Sequence, residues 1–276
     1  MSAEQLCQED DVEWVKSYAV QVSEVFSAKF KGAGNRFKGS ERLMGRFFKA
    51  VESVLTNGHS VFRAVDELHN ELCIASALLS NPSPKFTCID YEPVLAGSAK
   101  SIDFRAVTND GLTVFVDVKT IKPMPTDRWD QFEVALQEGW LPKSANVLLS
   151  EDWLGGELWH GMFAARSRML EYSLELEEKI RSYNLAAENT CFVLAFCGEG
   201  FSWHEDQLED FVSFYYTGSH RSDDPFSKVE AKHIKDKKIT IAKTIARFAC
   251  MRRPQGDIHH QRLNWNVQPP KNPNGW

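Results

Sequence analysis

One short segment of the chain carries two aspartates and a lysine at spacings that could support metal-assisted chemistry. Thirteen residues separate Asp103 from Asp117, and Lys119 follows Asp117 after one residue. Carboxylates are the side chains that bind Mg²⁺ in proteins, together with water and substrate phosphate. A metal so held polarises a phosphoryl oxygen and acidifies a water, and a nearby lysine stabilises the charge that develops. These residue types together predict phosphodiester hydrolysis.

The sequence between these residues indicates a β-hairpin that brings them to one face. Two β-rich runs flank the turn sequence Asn109–Gly111. A three-residue hairpin loop ends in a left-handed residue, and Gly111 suits that position. In this register Asp103 lies opposite Asp117, and Lys119 projects from the same face. A two-residue loop, made of the last two turn residues, would shift the pairing by one and separate the aspartates.

An ordinary cross-strand ion pair is the alternative interpretation of the same residues. It requires that the face carrying the charges be exposed to solvent. The second run places its valines on one face, whereas Phe115 shares the other face with Asp117 and Lys119. Charges beside a large aromatic side chain on a partly buried face need compensation. This arrangement favours a functional site over a surface ion pair.

The hydrophobic periodicity around the hairpin indicates an α/β protein. It predicts helices over 12–29, 40–56, 61–80, 130–138, 163–182, 205–216 and 228–251. It predicts strands over 85–91, 101–108, 112–121 and 190–197. The segment Lys29–Gly39 is interpreted as a loop, and the last dozen residues as a loose tail. This order of elements predicts helices packed on a mixed central sheet.

Asp103, thirteen residues and then Asp117-Val118-Lys119 form a pattern that resembles the signature of the PD-(D/E)XK nuclease superfamily. The resemblance covers about residues 60–200 and includes the order of the elements. It departs where Ile102 replaces the signature proline. The implied fold class is α/β, with a restriction-endonuclease-like core, a mixed central β-sheet flanked by helices, and helical additions at both ends.

The resemblance also implies the roles of individual residues. It implies Mg²⁺ as cofactor, with Mn²⁺ as a substitute. The implied metal-binding positions are Glu71, Asp103, Asp117 and Val118. Lys119 would assist the attacking water, and with the three carboxylates it completes the implied catalytic set. Glu71 lies on the helix that precedes the hairpin, and Glu67, one turn earlier, is the alternative to it.

Charge is distributed unevenly along this acidic chain. The whole chain has 32 Lys+Arg and 38 Asp+Glu, a net of -6. Residues 228–276 contain eleven basic and three acidic residues, a net of +8. Such a segment is suited to phosphate, and we expect nucleic-acid contacts from Lys237, Lys238, Lys243, Arg252 and Arg253. A solvated helix face packed on an acidic domain is the alternative interpretation.

Composition places the chain in an ordinary globular class. It has 276 residues, of which 43% are hydrophobic and 25% are charged. Six scattered cysteines form no C-x-x-C pair, which predicts small core residues in a reducing compartment. The apolar runs are too short for a membrane span, and the acidic start is unlike a signal peptide. These features predict a cytoplasmic protein without a membrane partner.

Three regions follow from these patterns. They are an N-terminal helical extension over 1–59, a nuclease-like core over 60–216 with an insertion at about 124–161, and a basic helical C-terminal segment and tail over 217–276. The predicted function is a metal-dependent endonuclease in bacterial or phage defence, restriction or repair, with DNA favoured over RNA as substrate. Cutting of both strands would favour a homodimer or a partner subunit. The alternative is a catalytically silent nucleic-acid-binding or protein-interaction module on the same fold.

Overall fold

A computed structural model describes eight ranges of the chain: 3–57, 62–95, 102–121, 165–184, 189–199, 205–218, 241–253 and 264–267. The predicted helix over 130–138 and the insertion at 124–161 lie outside these ranges. Within them, no helix combines the length and the apolar character needed to cross a membrane.

Five α-helices are present in the described ranges. They are α1 (Ala3–Ala33), α2 (Ser40–Asn57), α3 (Phe62–Ser80), α4 (Ala165–Ser182) and α5 (Glu205–Thr217). The ends of α2 to α5 lie within two residues of the predicted ends, so these four predictions are confirmed. Their apolar residues recur three and four positions apart, which is why periodicity located them.

The predicted loop over Lys29–Gly39 is wrong over most of its length. Helix α1 continues to Ala33, a 3₁₀ turn spans Gly34–Arg36, and strand β1 covers Phe37–Lys38. Phe30 extends the helix because it packs on Phe26, one turn earlier, and on Phe37. Gly34 has a φ of 52°, and this left-handed conformation ends the helix.

In the described ranges a mixed sheet of seven strands lies between the helices, which confirms the predicted mixed central sheet and adds strands to the four that were predicted. After β1 come β2 (Phe86–Tyr91), β3 (Phe104–Thr108), β4 (Thr113–Ile121), β5 (Thr190–Glu199), β6 (Arg247–Arg253) and β7 (Asn264–Val267). The strands lie side by side in chain order. The pairs β2–β3, β3–β4 and β6–β7 are antiparallel, whereas β1–β2, β4–β5 and β5–β6 are parallel.

The predicted helix over 228–251 is wrong in its described part. Residues 241–246 are not helical, and β6 begins at Arg247. Phe248 packs on one face of the sheet, whereas Ala249 and Met251 pack on the other. Buried residues at 245, 248 and 249 also fit a helical spacing, so periodicity alone could not identify the strand. The predicted loose tail is likewise corrected at Asn264–Val267, which forms β7.

Both faces of the sheet are buried. Residues of α1, α2 and α3 pack with Val114 and Val116 on one face. Residues of α4 and α5 pack with Phe115 and Ile121 on the other. Both clusters include strand residues from β4 and β5, which read as near-continuous apolar runs for this reason. The side chains of β4 that share a face with Phe115 therefore lie beneath α4.

The cysteine prediction holds where it can be checked. Cys73, Cys191 and Cys197 are buried, Cys88 is partly buried, and all four side chains are thiols. Buried cysteine behaves as a small apolar side chain, and these three contribute to the core of the α1–α3 face.

Candidate active site

The hairpin of β3 and β4 has the three-residue loop that the turn sequence predicts. Gly111 has a φ of 83°, and the Thr108 N–H donates to the Leu112 carbonyl at 3.0 Å. The ladder continues through pairs that include Val107 with Thr113 and Phe104 with Val116. The predicted register is therefore confirmed, because the two-residue loop would give different pairs.

This register brings Asp103 and Asp117 together. Asp103 directly precedes β3 and, one step beyond the Phe104–Val116 pair, lies opposite Asp117. Its Oδ2 accepts a hydrogen bond from the Val118 N–H at 2.6 Å. Only 1% of the Asp117 side chain is exposed. Asp117 is therefore not part of a solvent-exposed cross-strand ion pair, which was the alternative interpretation.

Lys119 points to the same centre from the far end of β4. Its Nζ lies 3.5 Å from Asp117 Oδ2 and 3.5 Å from a carboxylate oxygen of Glu175 on α4. The ammonium also lies 5.4 Å from the centre of the Tyr172 ring, within range of a cation–π interaction. Helix α4 thus holds the lysine between a carboxylate and an aromatic ring.

A second lysine, Lys179 of α4, also contacts Asp117. Its Nζ donates to Asp117 Oδ1 at 2.7 Å. Sequence reasoning missed this residue, which lies 62 positions from Asp117 in the chain. One signal was available: Lys179 precedes the buried Ile180 and follows the buried Leu176 by three residues, so it borders the apolar face of a predicted helix.

Glu71 occupies the adjoining side of the centre, on α3. The Tyr91 hydroxyl donates to Glu71 Oε2 at 2.6 Å, and Arg46 of α2 donates to the Tyr91 hydroxyl at 2.5 Å. Arg46 also forms an ion pair with Glu92. Glu71 thus lies beside the two aspartates, on the helix from which it was expected to reach them. Tyr91 and Arg46 also belong to the site, and the sequence analysis did not identify them. Glu67, the alternative to Glu71, contributes electrostatic repulsion to it.

The carboxylates of the centre oppose one another's ionisation. Burial, followed by the charges of Asp117 and Glu71, raises the pKa of Asp103 well above its usual value. Burial also raises the pKa of Glu71 to about 7, although the Tyr91 hydrogen bond and Arg46 act in the opposite direction. Burial alone would lower the pKa of Lys119, but Asp117 and Asp103 outweigh it and the pKa rises. The site thus concentrates negative charge around a protonated lysine.

The carboxylate oxygens of the centre are of the kind that binds a hard divalent cation. Asp117 Oδ2 is buried and accepts no hydrogen bond from the described part of the chain. Carboxylate oxygens of this kind are ligands that Mg²⁺ prefers. However, no three His, Cys, Asp or Glu side chains in the described ranges are arranged around a common metal position. Val118 contributes its N–H to Asp103, and this contact is its described role at the site.

The predicted nucleic-acid contacts fall mostly outside the described ranges or lack described side chains. Lys237 and Lys238 lie outside the ranges. Arg252 and Arg253 pair through their backbone with Gly198 and Glu199 in the sheet. Lys243 is exposed, and its Nζ donates to the Tyr216 carbonyl at 2.7 Å. That hydrogen bond satisfies the Tyr216 carbonyl in the last turn of α5, and the lysine stays at the surface.

Comparisons of the chain with protein-family models, with curated proteins and with solved structures gave no match. The geometry and the chemistry of the site itself are therefore the basis on which a function can be proposed.

Proposed function

We propose that this protein is a metal-dependent nuclease that hydrolyses phosphodiester bonds, with DNA favoured over RNA. The observation that carries the proposal is the pair Asp103 and Asp117, which the hairpin holds together beside Lys119, with Asp117 buried and Asp103 half-buried. Adjacent buried carboxylates repel each other, and this cost persists only where something compensates it. A divalent cation that also binds substrate phosphate is such a compensator.

The order of elements around the site supports the same proposal. Helix α3 is followed by the antiparallel strands β2, β3 and β4, then by α4 and by β5, which is parallel to β4. This is the helix, hairpin, helix and strand order that the resemblance to PD-(D/E)XK nucleases implies. It supports a nuclease-like core, and on that likeness we propose a role in defence, restriction or repair.

The residues of the chain divide the chemistry between them. Mg²⁺ is commonly held by one or two carboxylates, so Asp103 and Asp117 would hold the cation, with Glu71 adding negative charge beside them. When bound, the cation would supply polarisation of a phosphoryl oxygen and acidification of a water. Lys119 has a raised pKa and keeps its proton at neutral pH, so it acts as a donor rather than as a base. Its ammonium would stabilise charge that develops on the phosphate or would orient the water. Tyr91 fixes Glu71 by its hydrogen bond.

A cleavage assay on supercoiled, linear and single-stranded DNA and on RNA tests the proposal. We expect cutting in Mg²⁺ or Mn²⁺ and none in EDTA. Lys119→Ala should reduce the rate by about a hundredfold or more, the effect of losing one positioned donor. Arg168→Ala is the control, because this arginine pairs with Glu171 on the outer part of α4. Equal cleavage by wild type and Lys119→Ala would contradict the assigned role.

Metal should stabilise the protein more at alkaline than at acidic pH. The raised pKa values mean that folded Asp103 and Glu71 retain protons that the unfolded chain has lost, so without metal they reduce stability as pH rises from about 4 toward about 7. A cation replaces those protons above this window. We therefore expect Mg²⁺ or Mn²⁺ to raise Tm clearly at about pH 8 and little at about pH 5.5, where protons compete.

The double variant Asp103→Asn/Glu71→Gln serves as the control for this experiment, since it should lose the metal-induced rise in Tm at both pH values. A rise of the same size in wild type and double variant would show that the cation binds elsewhere.

A catalytically silent binding module is the second candidate. The observation that favours it is Lys179, which already neutralises Asp117 at 2.7 Å, together with the lack of a three-ligand arrangement in the described ranges. In such a protein the charges form an internal network, and Mn²⁺ would not change Tm. In a metal-dependent nuclease the cation must displace the Lys179 ammonium from Asp117 or bind Asp117 more strongly than the ammonium does. Metal titration therefore separates the two functions before any substrate is known.

A further inference from the structure

An exposed basic stripe on α2 borders the acidic centre. We define it by Arg42, Arg46 and Lys49, which are all exposed. At 100° per residue their spacing places them within about 60° of one another around the helix axis. By the same count Glu41 lies about 100° from Arg42, and Glu52 lies about 120° from Arg46 and about 60° from Lys49, so both acidic residues of α2 border the stripe on one side. Charge is thus segregated on the surface of this helix.

The stripe belongs to the most basic described segment of an acidic chain. Residues 29–49 contain seven Lys or Arg and one Glu, a net of +6, whereas the whole chain has a net of -6. Lys31 and Lys38, just before α2, are also exposed. Concentrated positive charge in one segment of a chain that is otherwise acidic points to an anionic partner.

Contacts tie the stripe to the acidic centre. Arg46 reaches the Tyr91 hydroxyl, which in turn donates to Glu71. Arg42 donates to the carbonyls of Tyr91 and Glu92. Both guanidinium groups lie over the Tyr91 ring, at 5.4 Å for Arg42 and 5.8 Å for Arg46. About half of each side chain stays exposed, with 49% for Arg42 and 44% for Arg46.

We propose that this basic stripe binds the phosphate backbone of the nucleic acid on which the acidic centre acts. The inference rests on the proposed function and names a binding surface for its substrate. A cluster of carboxylates repels a phosphodiester chain, so cations beside the centre are needed to hold the strand there. Arginine suits this task because its planar group forms paired hydrogen bonds with phosphate oxygens and stays charged.

Binding of a short fluorescently labelled DNA, single-stranded and duplex, tests the inference. Fluorescence anisotropy in EDTA measures affinity without cleavage. We expect R42E/R46E/K49E to weaken binding by about tenfold or more at low salt. Loss of three phosphate contacts should also reduce the slope of log K against log salt concentration by about 2–3. The matched control, K16E/K85E/R181E, makes the same change in net charge at exposed sites on other segments.

A second variant separates a loss of binding from a loss of folding. It is needed because Arg42 and Arg46 also contact Tyr91 and Glu92, so their replacement could destabilise the fold. K38E/K49E changes two exposed lysines and should weaken binding by about threefold or more with an unchanged Tm. The inference is overturned if wild type binds neither DNA form at low salt, or if the stripe and control variants lose affinity equally. These outcomes are independent of the cleavage assay, so metal-dependent cutting with an unaffected stripe variant would leave the proposed function intact.

Discussion

Asp103→Asn is expected to abolish metal-dependent cleavage and, at the same time, to stabilise the folded protein. Asp103 is held opposite Asp117, and its ionisation is opposed by burial and by that neighbouring charge. Asparagine keeps an oxygen that accepts from the Val118 N–H but removes the charge. Cleavage should fall by about a thousandfold or more, because a metal contributes several kcal/mol to transition-state stabilisation.

The gain in stability has a defined pH window. Because the pKa of Asp103 is raised on folding, the unfolded chain loses this proton first, and the folded state is penalised at higher pH. At about pH 8 the variant should therefore have a higher free energy of unfolding than the wild type. The gain should disappear below about pH 4, where the carboxyl is protonated in both states.

Asp110→Asn is the control for both measurements. Asp110 lies in the same hairpin, at the exposed turn, where its carboxylate accepts a hydrogen bond from Thr108. This change should leave cleavage and its metal dependence unaltered. A destabilised Asp103→Asn protein would indicate that Asp103 is a structural ion-pair member, and full activity in that variant would remove it from the catalytic set.

Glu177→Ala is expected to destabilise the fold by about 3 kcal/mol. This buried carboxylate of α4 accepts the N–H groups of Ala242 and Lys243, each at 2.8 Å, and the hydroxyl of Tyr215. The Tyr215 oxygen in turn accepts the Ile245 N–H at 3.2 Å. Removal of the acceptor leaves several donors unsatisfied at once, and each unsatisfied buried donor costs about 1–3 kcal/mol.

Chemical denaturation measures this change, with Glu178→Ala as a matched control. Glu178 is the next residue along α4, is 60% exposed and pairs with Arg181. Its removal should cost less than about 0.5 kcal/mol, as for other exposed helix ion pairs. Glu177→Gln keeps one acceptor oxygen, so its loss in free energy of unfolding should lie between those of Glu177→Ala and Glu178→Ala. Equal stability of Glu177→Ala and Glu178→Ala would mean that this network does not anchor the start of β6.

The hairpin and its charged residues could be predicted from sequence because their geometry is local. A glycine at the last loop position suits a three-residue turn, and that turn determines every pair of the ladder, including the approach of Asp103 to Asp117. The two-residue turn that the sequence also allowed would have separated the two aspartates. Helices α2 to α5 were also predictable, since each carries an apolar face with a period near 3.6 residues. The charged face of β4 was recognised by the alternation of valines with Phe115, Asp117 and Lys119.

The surroundings of those residues depended on contacts between distant parts of the chain. Lys179, Glu175 and Tyr172 reach the centre only because α4 packs on the face of the sheet that carries Phe115. Arg46 reaches Tyr91 from 45 positions away for a similar reason. Sequence spacing carries no information about such pairs, because packing between elements selects them after each element has formed.

Strand β6 also could not be predicted from the local sequence. Apolar residues between Ile245 and Met251 fit a helix or a strand by spacing alone, and the local pattern favoured a helix. The parallel edge of β5 offers unpaired backbone groups there, and β6 satisfies them while its side chains fill both cores. The sequence by itself therefore determined the period of each strong element and the position of the hairpin, and it left two registers open. Only the tertiary structure decided which cations and aromatic rings surround the carboxylates, because burial and pairing across the sheet are properties of the whole fold.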